Sequence, residues 1–566
     1  MPNVHFGNGQ PTTREQEIVE QFLLEPERAT HALSERVLVG GPRRATGIRH
    51  LLLPGLWALQ DSVGWVSPGG LKALCDSLGV PLAEAYGVAT FYELLQSEPP
   101  PEVLIRQCDD ITCMLFSSGN LGVEGSRVGS SCLGQCDSSA AAVVQRPGHG
   151  TAIVTESVGA STPVVAAPAG ARLLRRIFNG GATTIADYRS VGGYTALEVA
   201  IEIGSSGVLG AIQQSGLRGR GGAAFPTGAK WLAVADSLSS TKYVIANADE
   251  SEPGTFKDRV LMEQDPFALI EALTIAGLTV GADCGWIYIR GEYTLSYARI
   301  KSAISEAHST GFLGADVAGS GRPFDIEVRR GGGAYVCGEE TALLQSIEGY
   351  RGEPRSKPPY PTSDGLFGQP TLINNVETLV NVLEILHQGP AEWRSVGSAE
   401  SPGTRLFCLS GHVARPGVYE HPMGTTLGRV LSDAGGVAAG SELQMILLGG
   451  AAGGFVSPEQ LHVELSFEGA RSAGLSLGSG AIVVFDASVD LPKVVARVAK
   501  FFANESCGKC VPCRIGTQRQ MEIVAGRSGG LRVLDDLDQV MTDSSICGLG
   551  QAASSLVRSA RNLGVI

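Results

Sequence analysis

The sequence has little that would carry it into a membrane. No apolar run approaches the roughly 18–20 residues that a helix needs to cross a bilayer, so no membrane insertion is expected. The start, MPNVHFGNGQPTTREQEIVEQF, lacks a basic stretch followed by an apolar one, so no signal peptide is read there and a cytoplasmic location is expected. Positive charge is also short. Forty-four Lys and Arg face 57 Asp and Glu, a net charge of −13, which argues against nucleic acid or an anionic membrane as a general partner. Cysteine is sparse, 12 in 566 residues. In a reducing compartment those residues are thiols or metal ligands rather than disulfides. Glycine, by contrast, is abundant at 75 and follows no collagen-like period, which points to tight turns and close backbone approaches. The length suggests about three to five domains.

The cysteines are few but grouped. NESCGKCVPCRIGT sets Cys507, Cys510 and Cys513 as C-x2-C-x2-C. A disulfide would use two thiols, and a tetrahedral site needs four. Cys547, in SSICGLGQ after the helical-looking GLRVLDDLDQVM, is the candidate fourth ligand. Thiolate quartets suit zinc or an iron–sulfur cluster. A C-x2-C-x2-C run with one remote Cys favours [4Fe–4S]. Cys108 and Cys113 form C-x4-C, and Cys132 and Cys136 form C-x3-C. Four thiolates on two loops suit a [2Fe–2S] centre, with zinc as the alternative. Cys75, Cys284, Cys337 and Cys408 stand alone and read as small buried residues.

Residues 1–95 read as a helical region. TTREQEIVEQFLL carries an apolar stripe, and SPGGLKALCDSLG opens with Ser and Pro as helix starts prefer. Residues 96–160 hold strand-like runs, EVLIRQC and AAAVVQ, beside the first four cysteines. An Ala/Pro/Gly/Ser-rich linker follows at 161–174. Residues 175–404 alternate strands such as YVIANAD and GWIYIRG with helical stretches such as PFALIEALTIAGLTVG, an α/β pattern. Residues 405–490 read as a small α+β domain, short strands around one helix. Residues 491–566 read as helices bearing the cysteine run.

Three loops in 175–404 look chemical. SGLRGRGGAAFPTGAKW has glycines spaced like a dinucleotide finger, but a helix precedes it where a strand should stand. It is read instead as a phosphate-cradling loop ahead of a helix N-terminus after Pro226, with Arg218, Arg220 and Lys230 adding charge. YVIANADESEPGTFKDR runs a strand into an acidic loop with Asn247, Asp249, Glu250 and Glu252, where ligands of open α/β sheets sit. GGGAYVCGEETALLQSIEG opens a helix with Glu339 and Glu340, and INNVETL offers the amides Asn374 and Asn375. A solvated turn is the plain alternative for each loop taken alone.

Together these motifs resemble the NADH-binding flavoprotein subunit of respiratory complex I. They are GLRGRGGAAFPTGAKW, NADESEPGTFKDR, GAYVCGEETALLQSIEGYRGEPRSKPPYP, INNVETL and ESCGKCVPCRIGT. The segment ALQDSVGWVSPGGLKALCDSLGVPLAEAYGVATFYELL, with the four cysteines after it, resembles that complex's small thioredoxin-like [2Fe–2S] subunit. The chain therefore looks like a fusion of the two, as in the diaphorase-type subunit of soluble NAD-dependent formate dehydrogenases and NAD-reducing hydrogenases. The resemblance implies a multidomain α/β and α+β protein. It would have N-terminal helices and a thioredoxin-like domain, a Rossmann-like FMN and NADH domain, a β-grasp domain and a C-terminal helical bundle. It implies FMN held by Gly219, Arg220, Gly221, Lys230, Asn247, Asp249, Glu250, Gly338, Glu339, Glu340, Ile373, Asn374, Asn375 and Thr378. It implies NAD(H) beside Phe225, Glu250, Glu252, Glu340, Lys357 and Tyr360. Tyr360 stands where the family has Phe, and Ala224 where it has Gly. The implied partner is a second redox subunit with further iron–sulfur clusters and the terminal catalytic site, such as a molybdenum formate dehydrogenase or a hydrogenase. No acid–base residue is expected, because hydride transfer to a flavin depends on stacking geometry. The rival reading is a non-catalytic relay or scaffold subunit with an inactive flavin pocket.

Overall fold

The computed structural model describes residues 9–24, 48–116, 121–155, 164–166, 171–178, 180–526 and 530–566. Residues 161–163 and 167–170 of the expected linker lie outside the described residues.

The first helices are Thr13–Leu24, Leu52–Val63, Pro68–Leu78 and Leu82–Ala89. Ser67 caps the third by accepting from the Gly70 amide, with Pro68 in the first turn. This layer docks on the next domains through polar groups as well as grease. Trp57 Nε1 donates to the Gly331 carbonyl at 3.1 Å, and the Arg330 guanidinium lies 3.4 Å from the Trp57 ring centroid. Beside these helices lies a four-stranded sheet in the order Ser126–Ser130, Leu104–Cys108, Ala141–Arg146, Gly150–Thr155. Its first pair is parallel and the other two pairs are antiparallel.

The central sheet is wholly parallel, in the order Asp325–Arg330, Cys284–Ile289, Tyr243–Ala248, Thr371–Asn375. Helix Pro266–Val280 is buried along its whole length. It is apolar all round, as a helix enclosed by other elements should be. Each of its Leu and Ile side chains contributes about 1.5–3 kcal/mol by leaving water. Helix Thr195–Ser215 has no uninterrupted apolar run, since Glu198 and Glu202 break it. It is long and apolar enough, by length and composition alone, to cross a membrane. The backbone nevertheless breaks inside it at Gly204 (φ 66°, ψ 175°), and the helix packs against Pro266–Val280 and Val376–Gln388. Only one side of it, Ala196, Leu197, Ala200, Val208 and Ile212 among others, is buried against this domain.

A six-stranded sheet follows, in the order Gly454–Val456, Leu443–Leu448, Ala481–Asp486, Thr404–Gly411, Gly417–Pro422, Val164–Ala166. Two helices accompany it, Leu427–Asp433 and the short Phe467–Ser472, where the sequence reads as one. The C-terminal helices are Leu491–Glu505, Val511–Val524, Val533–Ser544, Gly548–Ala552 and Ser555–Asn562.

The chain ahead of the central domain is pinned by one carboxylate. Glu420 accepts from the amides of Arg172 (3.0 Å), Leu173 (3.2 Å) and Leu174 (3.0 Å), and from the Thr404 hydroxyl at 2.7 Å. Burial holds its carboxyl above the ordinary range. Glu420→Ala would orphan three buried amides, a loss of about 2–4 kcal/mol. Amide hydrogen exchange at residues 172–174 should then speed up about 30- to 1,000-fold. Unchanged exchange there would show that these amides are protected by something else.

Candidate functional site

Ligands of open parallel sheets sit beyond the carboxyl ends of the strands, where the strand order reverses. Here the order reverses at Tyr243–Ala248. The chain steps from it to Cys284–Ile289 and Asp325–Arg330 on one side, then returns to Thr371–Asn375 on the other. Asn247 and Asn375 are register partners across that junction, and Ala246 pairs with Asn374. The sequence-predicted amides thus come from two strands but lie side by side.

Three loops close over this edge. In the glycine loop, the Gly219 amide bonds the Phe225 carbonyl at 2.9 Å, and Arg218 bridges Pro226, so the turn is pinched shut. Gly222 has φ 120°, which favours glycine. A Cβ on Gly221 would sit 3.0 Å from the Asn375 Cβ. The Arg220 amide donates to Thr378 Oγ1 at 2.8 Å. Its side chain turns away, to the carbonyls of Pro402 and Thr404, and burial brings its pKa down to about 10. Pro226 starts helix Thr227–Ala235, as expected. From that helix Lys230 reaches Glu340 at 3.0 Å and the Ile373 carbonyl at 3.3 Å, and Trp231 Nε1 donates to Asn374 Oδ1 at 2.9 Å.

In the acidic loop, Asn247 Nδ2 donates to the Gly338 carbonyl at 2.8 Å, and Asn247 Oδ1 accepts from the Asp249 amide. Asp249 Oδ2 is buried and has no partner, and burial holds this carboxyl well above its usual range. An unpartnered buried acceptor facing glycine-rich backbone fits a hydrogen-bonding ligand. Glu250 accepts from the amides of Asp258 (3.0 Å) and Arg259 (2.9 Å), so it caps helix Lys257–Gln264. Glu252 accepts from the Tyr335 hydroxyl at 2.5 Å and the Ala452 amide at 2.8 Å. In the third loop Glu339 caps helix Glu340–Ile347 through the amides of Thr341 and Ala342. Lys357 bridges Glu339 at 2.8 Å and Glu340 at 2.9 Å. Burial works to lower the Lys357 pKa, but the two carboxylates outweigh it and raise the value. Phe225 and Tyr360 are 53% and 57% exposed, aromatic surfaces left open on the rim.

Both cysteine quartets converge. Cys108, Cys113, Cys132 and Cys136 are all buried, with Cys132 Sγ and Cys136 Sγ 3.5 Å apart. Asp110, between the first two cysteines, accepts from the Cys132 amide at 3.1 Å and so ties the two loops together. One small pocket is lined by Cys507, Cys510, Cys513 and Cys547. Helix Val511–Val524 starts at Cys510, and Cys547 precedes Gly548–Ala552. A Cβ on Gly550 would lie 2.9 Å from the Cys513 Cβ, so glycine lets the last loop close on the run. Burial pushes the Cys513 thiol up to about 12 and the Cys547 thiol to about 11; bound iron is what would deprotonate them. Lone Cys75, Cys337 and Cys408 are buried, and Cys284 is half-buried.

Comparison with known proteins follows the same order along the chain. Family models match a thioredoxin-like [2Fe–2S] ferredoxin over residues 43–124 and the Nuo51 FMN-binding domain over 212–384. They match an SLBB domain over 406–458 and the NADH-ubiquinone oxidoreductase-F iron-sulfur binding region over 493–563. In Rhizobium meliloti (strain 1021), the F 2 subunit of NADH-quinone oxidoreductase is 43% identical over 396 residues, covering 69% of this chain and 94% of that protein. The chain belongs to the family of NADH-quinone oxidoreductase F subunits. Among this family's relatives, the NADP-reducing hydrogenase subunit HndC of Solidesulfovibrio fructosivorans is 41% identical, over 66% of this chain and 78% of its own. A solved NAD+-reducing [NiFe]-hydrogenase in the air-oxidized state superposes with a TM-score of 0.75 at 31% identity, covering 92% of this chain and 93% of that one. The protein thus carries the family's FMN-binding domain and both iron–sulfur regions. Among the described residues no trio of His, Cys, Asp or Glu is drawn together to grip a single ion. Clusters rest here on the family models and on converging thiols.

Sequence reasoning misses the groups that fasten these sites to one another. Glu505 accepts from the Ser131 hydroxyl at 2.8 Å and the Tyr335 amide at 2.9 Å. Its only local signal is its place two residues before the cysteine run. Asp110 was more readable, lying between two ligand candidates.

Burial lifts the Glu252 carboxyl from 4.5 to about 7. The native state therefore favours its protonated form. That contribution to stability is complete below about pH 4.5 and fades as pH rises through 7. Glu252→Gln, which cannot ionise, should flatten the decline of melting temperature between about pH 4.5 and 7.5. Burial also raises Glu250 and Glu505 to about 7, so the slope should shrink rather than vanish. Parallel curves for the two proteins would refute this.

Proposed function

We propose that the chain is the NAD(H)-facing diaphorase subunit of a larger cytoplasmic redox complex. One observation carries the reading. The glycine loop, the paired strand-end amides and the Glu339-capped helix meet at a single switch point, and both cysteine quartets are tied to it: Glu505, two residues before Cys507, bonds Ser131 beside Cys132 and the Tyr335 amide. Bound FMN would supply hydride acceptance from NADH and one-electron release to the clusters. The chain's own groups do the rest. The Gly221 amide and the Lys230 ammonium offer donors to a phosphate, while the Gly219 and Arg220 amides are spent holding the loop in shape. Asp249, whose Oδ2 has no protein partner, and Asn374 present polar atoms to a heteroaromatic edge; Asn247 and Asn375 spend both ends of their amides on protein groups and shape the wall, and Thr378 holds the glycine loop against them. Phe225 and Tyr360 offer aromatic faces to the dinucleotide at the rim. Lys357, held by Glu339 and Glu340, and Glu252 flank that opening.

Cys108, Cys113, Cys132 and Cys136 are the proposed [2Fe–2S] ligands, and Cys507, Cys510, Cys513 and Cys547 the [4Fe–4S] ligands. Exposed Val511, Ile515 and Ile546 lie beside the second quartet, so the partner subunit is proposed to take electrons there. Likeness to a hydrogenase chain over nine-tenths of both lengths favours a hydrogenase-type partner over a molybdenum formate dehydrogenase.

The test is the Cys547→Ala variant of the purified chain. It should lose or convert the [4Fe–4S] resonance in electron paramagnetic spectra. The [2Fe–2S] resonance, FMN and NADH-dependent bleaching of the flavin should all survive. An unchanged [4Fe–4S] spectrum would place the fourth ligand elsewhere, and a flavin that NADH never bleaches would return the chain to a relay role. The nucleotide rim also predicts a preference. A 2′-phosphate would add negative charge beside Glu339 and Glu340, so kcat/KM with ferricyanide as acceptor should favour NADH over NADPH by at least about tenfold. Equal values would contradict the acidic rim.

A further inference from the structure

Strand Cys284–Ile289 ends at the same carboxyl edge as the paired asparagines, and the next residue is Arg290. It is 3% exposed, and its guanidinium has three destinations. Nη2 donates to the Cys132 carbonyl at 2.6 Å. Nη1 donates to the Glu250 carbonyl at 2.8 Å. Nε and Nη2 hold the Glu292 carboxylate at 3.1 and 2.9 Å. One planar fork therefore joins a cysteine loop to the acidic loop of the nucleotide site. Tyr293 reinforces the joint, since its hydroxyl donates to Glu250 Oε2 at 3.1 Å. Gly134, between Cys132 and Cys136, has φ 67°, and any Cβ there would collide with the Tyr293 hydroxyl. The loop is thus shaped to accept these two residues. Arg259 also grips it, through Gln135 and through Asp137 at 2.6 Å, but it spends its charge on Asp137 at the far end of the loop.

We propose that Arg290 positions the [2Fe–2S] loop against the nucleotide-site loop and sets the reduction potential of that cluster. The proposal rests on Cys132 being a cluster ligand, as argued above. Reduction adds one negative charge to a centre already held by four thiolates. A fixed guanidinium against a ligand's own carbonyl stabilises that added charge and raises the potential, as charge and hydrogen bonding around cluster sulfurs do. Glu292 offsets part of the field. Removing Arg290 would strip the cation and also leave Glu292 buried without its partner, and both changes push the potential down. A lysine would keep a charge near Cys132 but lose the fork, because one ammonium cannot hold two carbonyls and a carboxylate in fixed planar geometry.

The experiment is a redox titration of the purified full chain, followed by electron paramagnetic resonance, for wild type, Arg290→Gln and Arg290→Lys. The [4Fe–4S] resonance and FMN content serve as folding controls. The expected result is a lower [2Fe–2S] midpoint in R290Q and a midpoint close to wild type in R290K, with altered g-values in both because the fork is gone. Loss of the [2Fe–2S] resonance in R290Q with retention in R290K would also support a charge requirement at this position. A wild-type midpoint in R290Q that keeps its cluster would overturn the proposal. So would equal loss of the cluster from both variants, which would make Arg290 a folding contact only. Cys132→Ala separates the underlying reading: a [2Fe–2S] resonance that survives this change overturns the ligand assignment, whatever the Arg290 variants do.

Discussion

Parallel pairing of Tyr243–Ala248 with Thr371–Asn375 is the constraint on which the other sites depend. Side chains alternate across a strand, so a slip of one residue would turn Asn247 and Asn375 to the opposite faces. Nothing at the edge could compensate. Asn247 holds the Gly338 loop, Asn374 holds Trp231 and through it the glycine-loop helix, and Thr378 holds the Arg220 amide. Three loops from distant parts of the chain take their places from two strand ends. Apolar packing beneath the sheet stabilises that register far more than the loops do, since every residue of Pro266–Val280 is buried.

Above the sheet, apolar clusters run across the domain borders, and buried carboxylates tie the same borders. Glu420 and Glu505 each accept from donors on other segments, and Glu252 joins Tyr335 to Ala452. Taking such a group out of water costs several kcal/mol, while each charge-assisted hydrogen bond returns about 1.5–3 kcal/mol. The balance is close to neutral. What these groups contribute is therefore geometry. Apolar faces can slide by an ångström at small cost, but a carboxylate gripped by two fixed amides cannot. Electron transfer between centres on different domains depends on such fixed spacing.

How much of this was legible depended on sequence distance. Cysteine spacing, Ser67 before Pro68, Pro226 before its helix and Glu339 as a cap are local statements, and local chemistry made them readable. The two asparagines could be singled out by type, but their pairing could not, because parallel partners lie a whole crossover apart. Ser131 and Glu505 are 374 positions apart, and no short motif announces that bond. Helix Thr195–Ser215 misleads in another way. Glu198 and Glu202 interrupt any apolar run, yet the average over its length is apolar, because small residues fill the turns between them. Phe467–Ser472 escapes notice because six residues are too few to show a period. Arg290 gave no signal at all, following a strand like any polar residue at a sheet edge.

Val164–Ala166 pairs in parallel with Gly417–Tyr419, at the border of the six-stranded sheet. Arg172, a few residues on, bonds Glu420 across 248 positions. On the ribosome, this strand emerges together with the first cysteine domain and then waits while the whole central domain is made. Only afterwards does the sheet it belongs to exist. Closure of that sheet is therefore a late event of high contact order, and until then a strand edge stands open to other chains. The seam between the thioredoxin-like region and the F-subunit-like region therefore lies inside a third domain's fold, so the two halves are interleaved and not merely tethered.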